Sequence, residues 1–116
     1  MFSFHISTEK DFTEIVMKGK LLSTYEGEPI LQQLKSEIVD SPKIIINLTE
    51  LQYINSEGIS LLLKIFTYAR NLGGEVVITN VSTDLRNLFI ITKLNSIFSI
   101  FETKEEAIQE LIQLTK

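Results

Sequence analysis

The residues best placed to take part in chemistry are Asn55, Ser56, Glu57 and Gly58. They follow an apolar run, Lys43 to Leu48, whose three consecutive isoleucines mark a strand buried on both faces. They also open a helical pattern that runs from about Glu57 to Asn71. Asn55 and Ser56 are both good N-cap residues, and Gly58 allows close backbone approach in the first turn. Open α/β sheets place their sites where a parallel strand ends and a helix begins. An anion carried on Ser56 would sit against the unpaired amides and the positive end of the helix dipole. A phosphoryl group there would add about 1.5–2 negative charges and three acceptor oxygens. On these residues alone the simpler reading is that Ser56 caps a helix and does nothing else.

Other chemistries find little material. The 116 residues contain no cysteine, which excludes disulfides, thiolate metal sites and a cysteine nucleophile. The single histidine, His5, leaves almost nothing for a histidine metal site or a Ser-His pair and reads as an exposed strand residue. No glycine-rich loop precedes a lysine as in a nucleotide-binding loop, and no serine sits in a G-x-S-x-G elbow. Arg70, Arg86 and the acidic run Glu102, Glu105, Glu106 and Glu110 read as solvated surface. A net charge of −4 argues against nucleic acid as a direct partner. The start lacks a signal-peptide pattern, and no apolar run approaches the ~20 residues needed to span a bilayer. These features point to a cytoplasmic protein without membrane insertion, with no cofactor or metal and no catalytic residues of its own.

The elements that position Ser56 follow from periodicity. Phe2, Phe4 and Ile6 alternate with polar residues, and Phe12 to Lys18 reads as a second strand, the two forming an antiparallel hairpin that Gly19 closes. Pro29 suits the first turn of a helix carrying Ile30, Leu31, Leu34 and Ile38 inward, which Asp40-Ser41-Pro42 stops. After the buried strand and the Ser56 helix, which Gly73-Gly74 ends, Glu75 to Thr79 is a short strand. Ser82 caps a helix with Leu85, Leu88 and Phe89 on one face. Ser96 to Phe101 alternates like an edge strand. Thr103 to Glu106 forms a capping box for a last helix with Ala107, Ile108, Leu111 and Ile112 inward. The expected fold is a single α/β domain over residues 1–116. It has a mixed sheet of about four to five strands, an N-terminal hairpin, central parallel strands and about four helices.

The stretch Tyr53-Ile54-Asn55-Ser56-Glu57-Gly58-Ile59 resembles the Y/F-[I/M]-D-S-x-G-[L/I] signature of STAS domains, the family of bacterial anti-sigma factor antagonists. The resemblance continues through Gly73-Gly74-Glu75, Leu85 to Phe89, Ile91 to Leu94, Ile97-Phe98 and Glu105-Glu106-Ala107, and so covers roughly Lys43 to Ile112. It implies that Ser56 is phosphorylated by a partner serine kinase that is itself the anti-sigma factor. It further implies that phosphorylation disrupts the complex and that a phosphatase resets it. The chain departs from the pattern at three positions. Asn55 replaces the signature aspartate, keeping a capping oxygen without the charge. Glu57 sets a permanent negative charge beside Ser56, which would oppose phosphorylation or partly imitate it. Leu22 stands where many members carry an aspartate.

On a helical wheel, Glu57, Ser60, Lys64, Thr67 and Asn71 form a solvent stripe, and Ile59, Leu62, Leu63, Phe66 and Ala69 face the core. Leu61, Ile65 and Tyr68 lie between them. That flank either packs under a neighbouring element or docks a partner, and the resemblance favours docking around Asn55, Glu57, Gly58, Leu61, Ile65 and Tyr68. Two other functions fit the same chain: a STAS interaction module without a switch, and a small α/β nucleotide-binding protein or enzyme.

Overall fold

The computed structural model describes residues 2–37 and 42–113. Phe2–Thr8 (β1) and Thr13–Leu21 (β2) pair antiparallel, and the turn between them is closed by Glu9 N–H donating to Phe12 O at 2.8 Å. Helix Thr24–Glu37 (α1) leads to the long strand Lys43–Ile54 (β3), which runs into helix Ser56–Asn71 (α2). Glu75–Thr79 (β4), helix Thr83–Ile91 (α3), a 3-10 turn at Leu94–Ser96, Ser99–Phe101 (β5) and helix Lys104–Gln113 (α4) complete the order. The sheet order is β1-β2-β3-β4-β5, with every pair after β1-β2 parallel. This is the single α/β domain with a mixed sheet that the periodicity requires.

The isoleucine run explains the layers. Ile44 and Ile46 point into the larger core with residues of α1, α2 and α3, while Ile45 points to the other face with Val77, Ala107 and Leu111. All three are fully buried, so the strand needs a helical layer on each side. On the second face α4 is fastened by a partly buried polar cluster. Glu14 accepts from Lys104 Nζ at 3.1 Å through one carboxylate oxygen and from Asn47 Nδ2 at 3.2 Å through the other. Each polar group there has a partner, which offsets the cost of removing it from water.

Three details differ from the sequence expectation. Gly19 does not close the hairpin; it lies inside β2 at φ 88°, between two irregularities in the β2-β3 register, a backbone angle that glycine adopts without strain. Helix α1 starts five positions before Pro29, and the proline lies within it. A capping box outweighs the proline signal: Ser23 Oγ accepts from Glu26 N–H at 3.2 Å, and Glu26 Oε1 accepts from Leu22 N–H at 3.3 Å. The last strand is confined to Ser99–Phe101, because Leu94–Ser96 closes into a 3-10 turn. Pro42 is buried, but Ile38, Asp40 and Ser41 and the side chain of Ile112 lie outside the described residues.

The Ser23 cap sets where α1 begins, and that start borders Ser56. Ser23→Ala should lower stability by about 1 kcal/mol, read in a thermal melt as a drop of several degrees.

Candidate functional site

The site forms where β2 and β3 end side by side. Leu21 pairs with Ile54 at the close of the parallel ladder, and both chains then turn into helices, α1 from Thr24 and α2 from Ser56. Three hydrogen bonds tie the two turns together. Asn55 N–H donates to Leu21 O at 3.3 Å, Asn55 Nδ2 donates to Leu22 O at 2.8 Å, and Thr24 N–H donates to Glu57 Oε1 at 3.3 Å.

Asn55 rather than Ser56 is the N-cap. Its backbone is extended (φ −108°, ψ −170°) and its Oδ1 accepts from Gly58 N–H at 3.0 Å. The amide therefore works at both ends, accepting from α2 and donating to Leu22. An aspartate could make the first bond but not the second, since an ionised carboxylate has no donor. This is what asparagine contributes at a position where the resembling family carries an acid.

Ser56 occupies the first position of α2 and is exposed. Its carbonyl accepts from Ser60 Oγ at 3.1 Å, and its own hydroxyl makes no hydrogen bond among the described residues. Capping is done by its neighbour, so the hydroxyl is available to an incoming group. Glu57 is exposed as well, but its carboxylate is turned to the N-terminus of α1 and bonds Thr24. It therefore sits at the positive ends of two helices, a doubly favourable place for an acid.

Gly58 is buried beneath both strand ends. A Cβ at this position would stand 2.8 Å from Leu21 O and would overlap Ile54 Cγ1, so any side chain would push α2 off the sheet. Its part is to let Ser56 sit close to the strands, with no surface left to touch a partner.

Leu61 and Ile65 correct the expectation that this flank is a docking surface. Both are fully buried, because α1 lies across them, with Gly27 facing the Leu61 side chain so closely that a Cβ would collide with it. Tyr68 is half-buried, packs against the core and lines a groove of about 600 Å³ between α1 and α2. Of the expected contact residues, the structure brings Asn55, Ser56 and Glu57 to one accessible turn and withdraws Gly58, Leu61 and Ile65 from it.

Three residues absent from the expected set flank that turn. Leu22, Tyr25 and Tyr53 are 43%, 86% and 52% exposed. Leu22 bonds Asn55 through its carbonyl, Tyr25 follows Thr24, and Tyr53 precedes Asn55 by two residues. Exposed aromatic side chains at this spacing carry no periodic signal of their own. Their grouping depends on α1 starting beside α2. Among the described residues no group of acidic or histidine side chains converges to hold a metal ion, and no helix is long and apolar enough to cross a membrane.

Comparison with known proteins agrees with this fold. The STAS domain model matches residues 7–107, and the chain belongs to that family. Among its relatives is BtrV of Bordetella bronchiseptica, described as an anti-sigma factor antagonist, 30% identical over 97 residues, covering 77% of this chain and 84% of BtrV. The anti-sigma-factor antagonist (STAS) domain protein of Planctomyces limnophilus superposes with a TM-score of 0.81 at 20% identity, over 94% of this chain and 97% of that one. The Bacillus cell fate determinant SpoIIAA in its phosphorylated form gives 0.70 at 24% identity, over 93% and 98%. These structures share the fold.

Two outcomes follow from the geometry. Leu61→Ala should cost about 2–5 kcal/mol in denaturant unfolding, the signature of a core position. Asn55→Asp should cost about 1 kcal/mol, and Asn55→Ala about 2, because the first loses the Leu22 bond and the second loses the cap as well.

Proposed function

We propose that this protein is an anti-sigma factor antagonist that binds a partner serine kinase, the anti-sigma factor, and that phosphorylation of Ser56 switches the binding. One observation carries the reading. At the end of the central strands an exposed serine begins a helix that its neighbour already caps, so its backbone is fixed and its hydroxyl is unengaged. Family membership adds support, as do the description of BtrV and the existence of SpoIIAA in a phosphorylated form. In this reading the protein is a substrate: the kinase supplies the catalytic groups and the nucleotide, and a phosphatase removes the phosphate. The setting is the cytoplasm, with no direct contact to nucleic acid.

The physical sense of the switch is electrostatic. A dianion on Ser56 would stand beside Glu57 and among Leu22, Tyr25 and Tyr53, where an unphosphorylated partner contact would be largely apolar. Desolvating that charge at an interface costs more than the apolar contacts return.

A second reading is an interaction module without a switch. Ile90, Ile91 and Ile97 favour it: they are 53%, 77% and 43% exposed at the end of α3 and the start of the segment entering β5. The parallel β4-α3-β5 connection places them toward the end of the sheet away from Ser56. A partner seated there would bind regardless of phosphate.

The two are separated by incubating the protein with ATP and its cognate serine kinase and measuring intact mass. A single phosphoryl addition that disappears in Ser56→Ala is the expected result. A kinase that binds without modifying the protein would leave only the module.

A further inference from the structure

Two of the positions at which this chain departs from the family signature meet in one structural feature. Asn55 and Glu57 both reach back across the site to the segment that precedes and starts α1, the first to Leu22 O at 2.8 Å and the second to Thr24 N–H at 3.3 Å. Residues 22 to 25 are thus tethered to the turn that carries Ser56. Leu22 and Tyr25 ride on that tethered segment, and Tyr53 stands on the strand before the turn. These three exposed side chains lie on the segments bonded to the Ser56 turn, and in the reading of Ser56 as phosphoacceptor they are the apolar surface offered as a docking face for the kinase.

We propose that Glu57 makes this docking face responsive to phosphorylation: its carboxylate holds the first turn of α1, with Tyr25, against the site, and releases it when residue 56 carries phosphate. The inference rests on the reading of Ser56 as the phosphoacceptor and adds the route by which the charge reaches the partner's contact surface.

The argument is one of competing anions. Phosphate on the first residue of α2 and carboxylate on the second seek the same positive region at the helix start. Among the described residues no lysine or arginine forms an ion pair with Glu57, so nothing compensates a second anion beside it. A further acid, Glu26, accepts from Leu22 N–H at 3.3 Å and from Ser23 Oγ at 3.5 Å at the start of α1 and adds negative charge to the same region. Of the three tethers, the Asn55 bonds are between neutral groups and do not respond to the new charge. The Glu57 bond is long, exposed and made by the group that the phosphate repels. Phosphorylation therefore cuts this tether selectively: α2 stays capped, Leu22 stays bonded to Asn55, and the Thr24 amide at the start of α1 is released.

The test installs phosphoserine at position 56 by genetic code expansion, so that it does not depend on any kinase, and follows amide hydrogen exchange by NMR. Exchange at the Thr24 amide should quicken by about fivefold in the phosphorylated protein, the factor that about 1 kcal/mol corresponds to, while amides of β4 stay unchanged. In Glu57→Gln, whose side-chain oxygen still accepts from Thr24 without charge, the same phosphate should change exchange by less than about twofold. Unchanged exchange at Thr24 in the phosphorylated wild type would overturn the proposal. Equal acceleration in Glu57→Gln would overturn it too, by showing that the phosphate acts without Glu57. Thermal melts of both proteins check that the fold is intact. If installed phosphate loosens α1 while the kinase leaves Ser56 unmodified, the tether stands and the functional reading falls.

Discussion

The constraint on which everything else rests is that β3 is buried on both faces. Ile44, Ile45 and Ile46 are each fully inaccessible and alternate between two cores, so the sheet must carry helices on both sides. Its neighbours β2 and β4 run parallel to it, and parallel neighbours are joined only by crossovers long enough to hold a helix. The crossovers put the starts of α1 and α2 at the carboxyl ends of β2 and β3, which lie side by side in register at Leu21 and Ile54. Two helix N-termini therefore converge at one end of the sheet. The site is a consequence of the core: an apolar pattern in the middle of the chain decides where Ser56 must be.

Weak interactions can govern a switch at such a place because the energies in play are all small. An exposed hydrogen bond of 3.3 Å such as that between Thr24 and Glu57 contributes at most about 1 kcal/mol. A dianion and a carboxylate roughly 6 Å apart in a water-like medium repel by about 1 kcal/mol as well. The two are matched, so one covalent phosphate is enough to shift the balance without threatening the fold. The core is out of reach of this effect, since replacing a buried leucine alone costs several times as much. Local release and global stability thus separate by scale.

Much of this was legible in the sequence, and what was not has physical reasons. Element order, the two-faced strand, the Ser82 cap and the Thr103 capping box were readable because each depends on residues within a few positions of one another. The start of α1 was hidden by two competing local signals, a proline that favours a first turn and a Ser23-to-Glu26 box that the chain obeys. Gly19 looked like a turn because a glycine at a strand end usually is one; its use as a register irregularity needs the partner strand to be seen. Leu61 and Ile65 show the limit of a helical wheel, which gives the angle of a side chain but not what lies over it. Helix α1 covers them, and it can do so because Gly27 lets the two helices touch. The position of Ser56 was readable from its own neighbourhood. Its surroundings were not, because Leu22 and Thr24 reach it through hydrogen bonds spanning more than thirty residues.

The departures at 55 and 57 are best understood together. In the pattern this chain resembles, an acid at the first of these positions caps the helix and supplies negative charge beside the serine. Here the two duties are divided. Asn55 keeps the cap and gains a donor, which it uses on Leu22, and Glu57 carries the charge one step past the serine, still within the first turn where the dipole favours it. What changes is its reach: a carboxylate at the cap is occupied by its own helix, whereas Glu57 is free to bond the helix next door. A negative charge at position 57 in place of position 55 keeps an acid beside Ser56 and connects that turn to α1. A substitution pattern that reads in sequence as loss of the signature acid is, in the folded protein, a relocation of that acid to a place where it links two elements.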